Sequence, residues 1–372
     1  MSNQYDIFVS TLNCGKLLPF GQPSELEKVL ELLLPADKDH DIYALGFQEL
    51  VAIWEGSFPQ LVESNLKLVS DICYKCLQKR QGNRNYELVS SHNSGALGVV
   101  IFADKKFKFS NIFKASVRCG LFYSSLKGAA AIKFTVTNEE STLTDTFIFI
   151  DAHLAANEGE VNRLRRIADW GTIFGRVQQE FGHFEGNHVF FLGDLNFRIS
   201  NWKGTDTNYT SNEAIKELLA KYDELSLSIQ SGSILSGFEE AEINFPPTYK
   251  FLLTTPQEQY DLRRLPSWCD RILFQSYSEP VKVNLYRSVQ RSEALQFTDH
   301  LPVLLNVVAP HISDANSTGT RSLLSHTNSS QSIGSFSDFI IGHFGWLYAS
   351  YGPYIVGATI LLSLWLIFEI FT

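Results

Sequence analysis

Eight short runs rich in β-branched and aromatic residues, at 6–12, 41–47, 97–102, 129–136, 147–150, 188–192, 271–274 and 301–308, limit most strongly what this chain can fold into. Each is bounded by polar or glycine-containing segments, which is the pattern of strands buried inside a sheet. Helical spacing of apolar residues appears between only some of them: at 25–34, headed by Ser24 as cap and stopped by Pro35, and at 160–181 and 212–222. Strands that arrive in pairs, with helices after only some, predict mixed sheets rather than strict βαβ alternation. No internal repeat is visible.

The chain has 372 residues, 44% of them hydrophobic, enough for one large α/β domain or two small ones. Its composition changes after Pro310. Residues 311–338 are rich in Ser, Thr, Asn and Gly and read as a flexible linker, which leaves 1–310 as the folded domain. Residues 339–372 read as a C-terminal anchor, because no charged residue occurs from Trp346 to Phe368, long enough for a hydrocarbon core about 30 Å thick. Trp346, Tyr348, Tyr351 and Tyr354 would lie at one interface and Trp365 near the other, with Pro353 at a kink or at the true helix start. A buried core helix is the competing reading, but a core helix is rarely apolar all round and preceded by such a linker. Few basic residues flank the span, and its length suits the endoplasmic reticulum better than a thicker membrane.

The first residues, MSNQYDIFVS, lack the pattern of a secretory signal, and five scattered cysteines do not form a disulfide framework. The body of the chain is therefore expected in the reducing cytosol. Cys73 and Cys76 form a CxxC with no second pair for zinc and are read as structural, on an amphipathic helix. A formal net charge of −9 argues against general affinity for nucleic acid, which needs an excess of Lys and Arg. It leaves room for an anionic substrate met by a few converging cations.

Six polar clusters stand at or beside the expected strands: 11–15 with Asn13, 47–49 with Glu49, 151–157 with His153, 193–198 with Asp194 and Asn196, 266–271 with Asp270, and 298–300 with Asp299 and His300. Any one of them alone would pass for a loop cap or an ordinary solvent-facing polar group. Glu49 and Asn13 are hard oxygen donors, suited to Mg²⁺. Asp194 and Asn196 lie two apart, so on an extended segment they point the same way, one to take a proton from water and one to hold it. Asp270 can accept from one nitrogen of His300 and leave the other for a phosphoryl oxygen, with Asp299 beside it to assist a metal or balance charge.

The wording of two segments, Phe191-Leu-Gly-Asp194-Leu-Asn196-Phe-Arg198 and Arg264-Leu-Pro-Ser-Trp-Cys-Asp270-Arg271-Ile-Leu273, resembles the signatures of the inositol polyphosphate 5-phosphatases. Phe245-Pro-Pro-Thr-Tyr-Lys250, His153-Leu-Ala-Ala156 and Asp299-His300-Leu-Pro302 follow the family's order, and the resemblance covers roughly residues 5–308. It implies a DNase-like, four-layer α/β sandwich of two mixed sheets flanked by helices. It also implies in-line attack of water on the 5-phosphate of phosphatidylinositol 4,5-bisphosphate. Glu49 and Asn13 would hold Mg²⁺, and Asp194, Asn196, His300, Asp270, Asp299 and His153 would form the catalytic set. Lys127, Tyr249, Lys250, Arg264, Arg271 and Asn157 would serve the substrate, Arg271 by helping to hold the site together. With a tail anchor added, the lipid rather than a soluble inositol phosphate is the expected substrate.

Three positions depart from the family pattern. Ser125-Leu126 stand where Gly-Asn usually precedes Lys-Gly. Asn157 ends the motif that usually ends in histidine. Only Leu262-Arg263 separate Asp261 from Arg264, where a longer insert with a lysine is usual; Arg263 or Arg264 would be the substitute, although an arginine fork is not a lysine point charge. Two other readings remain at this stage: a superfamily phosphodiesterase of the nuclease or sphingomyelinase type, and a non-catalytic phosphoinositide-binding membrane protein.

Overall fold

Alternation within the apolar runs decides the layering. In β1 (Gln4–Asn13) Ile7 and Val9 join one apolar cluster, while Phe8 and Leu12 face the opposite way into a second. In β7 (Thr144–His153) Phe147 and Phe149 enter the first cluster, and Ile148 and Ile150 enter a third. A strand with two apolar faces needs a cover on each, so two sheets pack face to face and helices close the outer sides. The computed structural model describes residues 4–80, 82, 84–138, 142–204, 207–253, 255–276, 280–312 and 332–352.

The remaining elements, in chain order, are α1 (Pro23–Leu33), β2 (Ile42–Gln48), α2 (Pro59–Gln78), β3 (Tyr86–Ser94), β4 (Leu97–Asp104), β5 (Phe107–Arg118), β6 (Gly128–Asn138), α3 (Glu160–Phe181), β8 (His188–Asp194), α4 (Asn212–Lys221), α5 (Glu224–Gln230), β9 (Glu239–Glu240), β10 (Asp270–Gln275), β11 (Lys282–Ser288) and β12 (Val303–Pro310). One six-stranded sheet runs β11-β12-β1-β2-β4-β3 and the other β5-β6-β7-β8-β10-β9. The inter-sheet core is aromatic. Phe134, Phe149 and Phe190 stack in sequence, with centroids 6.1 and 4.9 Å apart and rings 11° from parallel in each pair. Leu26, Leu30 and Leu33 of α1 and Val62, Leu66 and Val69 of α2 cover the first sheet, and Ile173, Val177 and Phe181 of α3 cover the second. The expected four-layer sandwich of mixed sheets is therefore observed.

Two of the pairings carry the function. β1 runs parallel to β2, and β7 runs parallel to β8. Their C-terminal ends, Asn13, Gln48, His153 and Asp194, thus arrive at one edge of the sandwich. β10 is antiparallel to β8, so its first residue, Asp270, lies opposite Asp194. β12 is antiparallel to β1, with Val303 opposite Thr11, which brings the preceding His300 to the same edge. The sheets approach closely here, because Gly46 has no Cβ: one placed there would lie 2.5 Å from Asp151 Oδ1. Gly193, with φ +131°, holds a backbone shape that disfavours side chains and places Asp194 at the strand end.

Two expectations need amendment. Ser24 does not cap α1; Pro23 occupies the first turn, after Gln22. Residues 332–338, read as the end of a linker, are the start of a helix over 332–352. Of the expected span, residues 353–368 lie outside the described residues, and among the described residues no helix is long and apolar enough to cross a membrane.

Candidate active site

The strand ends enclose a cleft of about 290 Å³ lined by Asn13, Lys16, Glu49, Lys127, His153, Asn157, Asp194, Asn196, Arg198, Tyr249, Arg264, Asp299 and His300 among others. Asp194 is its centre and is 1% exposed. Asn13 Nδ2 donates to Asp194 Oδ2 at 2.8 Å, and the Asn196 N–H donates to Oδ1 at 3.0 Å. His153 Nε2 lies 3.2 Å and His300 Nε2 3.9 Å from Oδ2. Burial alone would favour the neutral acid, but His153, His300 and Lys127 outweigh it and hold the carboxyl well below the usual range. The ionised form is therefore favoured, which suits Asp194 better to orienting water than to taking its proton outright.

His300 is gripped from behind. Its Nδ1 is 2.9 Å from Asp270 Oδ2, which also accepts from Thr248 Oγ1 at 2.7 Å, and its ring packs 4.6 Å from that of Tyr249. Burial disfavours the imidazolium, yet Asp270, Asp194 and Asp299 raise its pKa from the ordinary 6.5 to about 9. Burial also pushes Asp270 upward. The two share one proton, and with three carboxylates acting on the ring we assign it to His300. Because Nδ1 faces Asp270, the Nε2–H faces the cleft, 3.9 Å from Asp299 Oδ1.

Glu49 lies across the cleft, with Oε2 3.1 Å from Lys16 Nζ and Oε1 4.0 Å from His153 Nε2. Burial opposes its ionisation, but His153, Lys127 and Lys16 lower its pKa. Asn13 Oδ1 accepts from the Gly15 N–H at 2.9 Å and keeps a second lone pair. Glu49, Asn13 and the neighbouring Asp194 form a set of hard oxygen donors, with the Glu49 carboxylate already attracting an ammonium. That donor set fits a hard divalent cation. Among the described residues Asp194, Asp270 and His300 also cluster tightly enough to hold an ion, but Asp270 already binds His300 Nδ1 and Asp194 Oδ2 already accepts from Asn13.

The substrate-side residues divide. Lys127 Nζ sits on His153 Nε2, and burial lowers its pKa to about 8. Tyr249 lines the cleft under the Arg198 guanidinium, 4.4 Å from the ring centroid. Lys250 stands at the rim, 3.3 Å from Asp299 Oδ2. Arg264 Nη2 reaches across to Asn157 Oδ1 at 3.4 Å, whereas Arg263 is held by Asp261 in two bonds of 2.8 and 2.7 Å. Arg264, not Arg263, therefore faces the cleft in place of the missing lysine. Arg271 does not reach it. It is 1% exposed and points away, with Nη1 3.0 Å from Asp223 Oδ2 and Nε 2.7 Å from Glu240 Oε1. Contrary to the expectation, it serves the scaffold and not the substrate side.

Two further residues line the cleft. Arg198 donates to the side-chain oxygen of Asn196 and from Nε to its carbonyl at 3.0 Å, fixing the amide whose Nδ2 bonds Leu154 O at 3.1 Å. Its place two residues after Asn196 was a usable signal. Lys16 follows Gly15 directly, but nothing in the sequence pairs it with Glu49. Lys16, Glu49, Asn157 and Asn196 all have positive φ (67°, 47°, 74° and 57°). Asparagine tolerates this region, but the lysine and glutamate pay about 1 kcal/mol or more each, strain of the kind that gathers at functional sites.

Residues 10–306 match the Endonuclease/Exonuclease/phosphatase family 2. The chain is 28% identical over 323 residues to the polyphosphatidylinositol phosphatase INP53 of Saccharomyces cerevisiae, an alignment covering 80% of this chain and 28% of that protein. It spans only about a quarter to a third of the length of such relatives, among them the type IV inositol polyphosphate 5-phosphatase 3 of Arabidopsis thaliana, 28% identical with 65% of this chain and 36% of the relative covered. Its fold superposes on the inositol polyphosphate 5-phosphatase domain of SPsynaptojanin, in complex with inositol (1,4)-bisphosphate and calcium ion, at a TM-score of 0.65 with 23% identity, 96% of this chain and 93% of that one covered. By sequence, the chain belongs to the endonuclease/exonuclease/phosphatase family 2 and has inositol polyphosphate 5-phosphatases among its homologues.

Proposed function

We propose that the cleft hydrolyses the 5-phosphate of phosphatidylinositol 4,5-bisphosphate, releasing inorganic phosphate and phosphatidylinositol 4-phosphate. The observation that carries this reading is the buried Asp194 carboxyl with His300 Nε2 3.9 Å from its Oδ2, in a cleft lined by Lys16, Lys127, Arg198 and Arg264 in a chain of net charge −9. Such a site suits a multiply charged anion attacked by water. Asp194 accepts a hydrogen bond from the attacking water and Asn196, fixed by Arg198, keeps the carboxylate aimed. His300 donates Nε2–H to a non-bridging phosphoryl oxygen, and Asp270 holds the ring for it. Lys127, Tyr249, Lys250 and Arg264 form the rim that would meet the neighbouring 4-phosphate. Glu49 and Asn13 would hold Mg²⁺, which supplies charge neutralisation on the transferring group when bound.

The test is phosphate release from the lipid by the full chain in detergent, with Mg²⁺ or EDTA, beside an Asp194→Ala control. Metal-dependent release that leaves the 4-phosphate on the product and disappears in the variant supports the reaction. Release from sphingomyelin or nucleic acid but not from the inositol lipid would replace it with a phosphodiesterase reading. We further propose that the uncharged run 346–368 anchors the protein in the endoplasmic reticulum membrane with the catalytic domain in the cytosol. Composition supports this, and continued membrane residence of a chain ending at 345 would refute it.

A further inference from the structure

The helix over 332–352 lies against the catalytic domain with an unusual face inward. Between 332 and 345 the buried positions are Gly334, Asp338 and Gly342, with Gly345 half-buried, a spacing of four, four and three residues that marks one helix face. Ile333, Phe336, Phe339, Ile340 and Phe344 are exposed instead. Apolar burial alone would turn these large side chains inward. Small size and one carboxylate set the register instead. A Cβ at Gly345 would collide with Trp54, one at Gly334 with the Tyr123 carbonyl, and one at Gly342 would lie 2.9 Å from Ser57 Cβ.

Asp338 is 6% exposed and reaches the hairpin between β5 and β6. Its Oδ1 accepts from the Ser125 N–H at 2.8 Å and from Ser125 Oγ at 3.0 Å, and its Oδ2 lies 3.2 Å from Arg118 Nε. Ser337 Oγ donates to the Phe122 carbonyl at 3.0 Å in the same hairpin. Two residues after Ser125 stands Lys127, whose carbonyl accepts from the Cys119 N–H at 2.8 Å and whose side chain reaches His153 in the cleft. The hairpin tip carries non-glycine residues with positive φ at Phe122 and Tyr123, so its shape needs outside support. Ser125 is also one of the positions at which the sequence departs from the family pattern.

We propose that Asp338 is a positioning residue for the active site: by binding Ser125 and Arg118 it fixes the hairpin that presents Lys127, so that the tail helix completes the substrate rim. This rests on the reaction proposed above. The test uses the full chain in mixed micelles with phosphatidylinositol 4,5-bisphosphate. Asp338→Ala is expected to raise KM about tenfold, the scale of one lost charge-assisted contact, with kcat within about twofold. Asp338→Asn, which keeps the acceptor for Ser125, is expected to recover part of the loss. In a Lys127→Ala background Asp338→Ala is expected to add less than about twofold, because both changes act through one group. Gly342→Leu, which touches neither hairpin nor cleft, is expected to reproduce the KM increase. An unchanged KM, or full additivity with Lys127→Ala, overturns the proposal. Should the wild type release no phosphate, the reaction falls but the docking is still judged by hydrogen exchange: equal protection of the Ser125 amide in wild type and Asp338→Ala refutes it.

Discussion

Replacing Asp270 by asparagine keeps the shape of the side chain and removes one negative charge from beside His300. Asp270 is the largest of the three carboxylates that raise the imidazole to about 9 against the pull of burial. An amide can still accept from Nδ1–H, and Thr248 Oγ1 can still donate to its oxygen, so the ring stays oriented. What changes is basicity. A folded pKa of about 9 means that the imidazolium persists up to that pH and is lost above it. If the loss of Asp270 brings the value to about 7, the protonated fraction at pH 8 drops from about 90% to about 10%, roughly tenfold, whereas at pH 6 it stays at about 90% or above in both. The expected outcome is a rate defect that grows with pH, with the alkaline limb of kcat moved down by about two units. Initial rates of phosphate release between pH 5.5 and 9.5 would show it. A defect of constant size across that range, with the alkaline limb unmoved, refutes the assignment of the donor proton to His300.

The other predictions are shorter. Arg271→Met should cost about 3–5 kcal/mol in urea denaturation, because Asp223 and Glu240 lose their buried partner, while KM of the folded fraction stays put. Arg264→Ala should raise KM for the bisphosphate several-fold, about 1 kcal/mol for an exposed cation, and Arg263→Ala should leave it within about twofold. Asp169 is buried under the Ala155 N–H, and burial raises its carboxyl from 3.8 to about 6. The folded state thus binds that proton more tightly than the unfolded one. The stabilisation is complete below about pH 4 and lost as pH rises through 6, so Asp169→Asn should gain about 2–3 kcal/mol on the wild type between pH 4 and 7 in denaturant titrations.

The eight apolar runs read from the sequence are the eight interior strands, β1, β2, β4, β6, β7, β8, β10 and β12. The strands that were not anticipated, β3, β5, β9 and β11, are the four sheet edges. A strand covered on both faces must be apolar along its length, whereas an edge strand mixes exposed Lys, Asn and Ser with its apolar residues, as Phe107–Arg118 and Lys282–Ser288 do. The site was legible for a related reason. Asn13, Glu49, His153, Asp194 and Asp270 stand at or beside the ends of interior strands, so locating those strands located the chemistry. Lys16 was not legible, since its partner is chosen by a loop with positive φ at both residues. Nor was Asp338, whose partner is 213 residues away.

Arg271 shows why a correct motif can mislead about a single member. It lies next to Asp270 on β10, and neighbouring residues in a strand face opposite sides, so if Asp270 faces His300 then Arg271 must face away. There it meets Asp223, which caps α5 through the Ser226 N–H at 2.9 Å. The next residue, Glu224, accepts from Arg166 Nη2 at 2.5 Å and from the Arg198 N–H at 3.0 Å. Arg166 in turn donates to the carbonyls of Ala155 and Asn157, at 3.1 and 2.8 Å. One short helix thereby ties β10 and the loops after β7 and β8 together by buried charge. Such networks are rarely more stable than apolar packing of the same volume, but their geometry admits few alternatives. A site that must hold Asp194, Asn196 and Asn157 in fixed relation benefits from that restriction. In the second signature, then, the aspartate addresses His300 and the arginine addresses the scaffold.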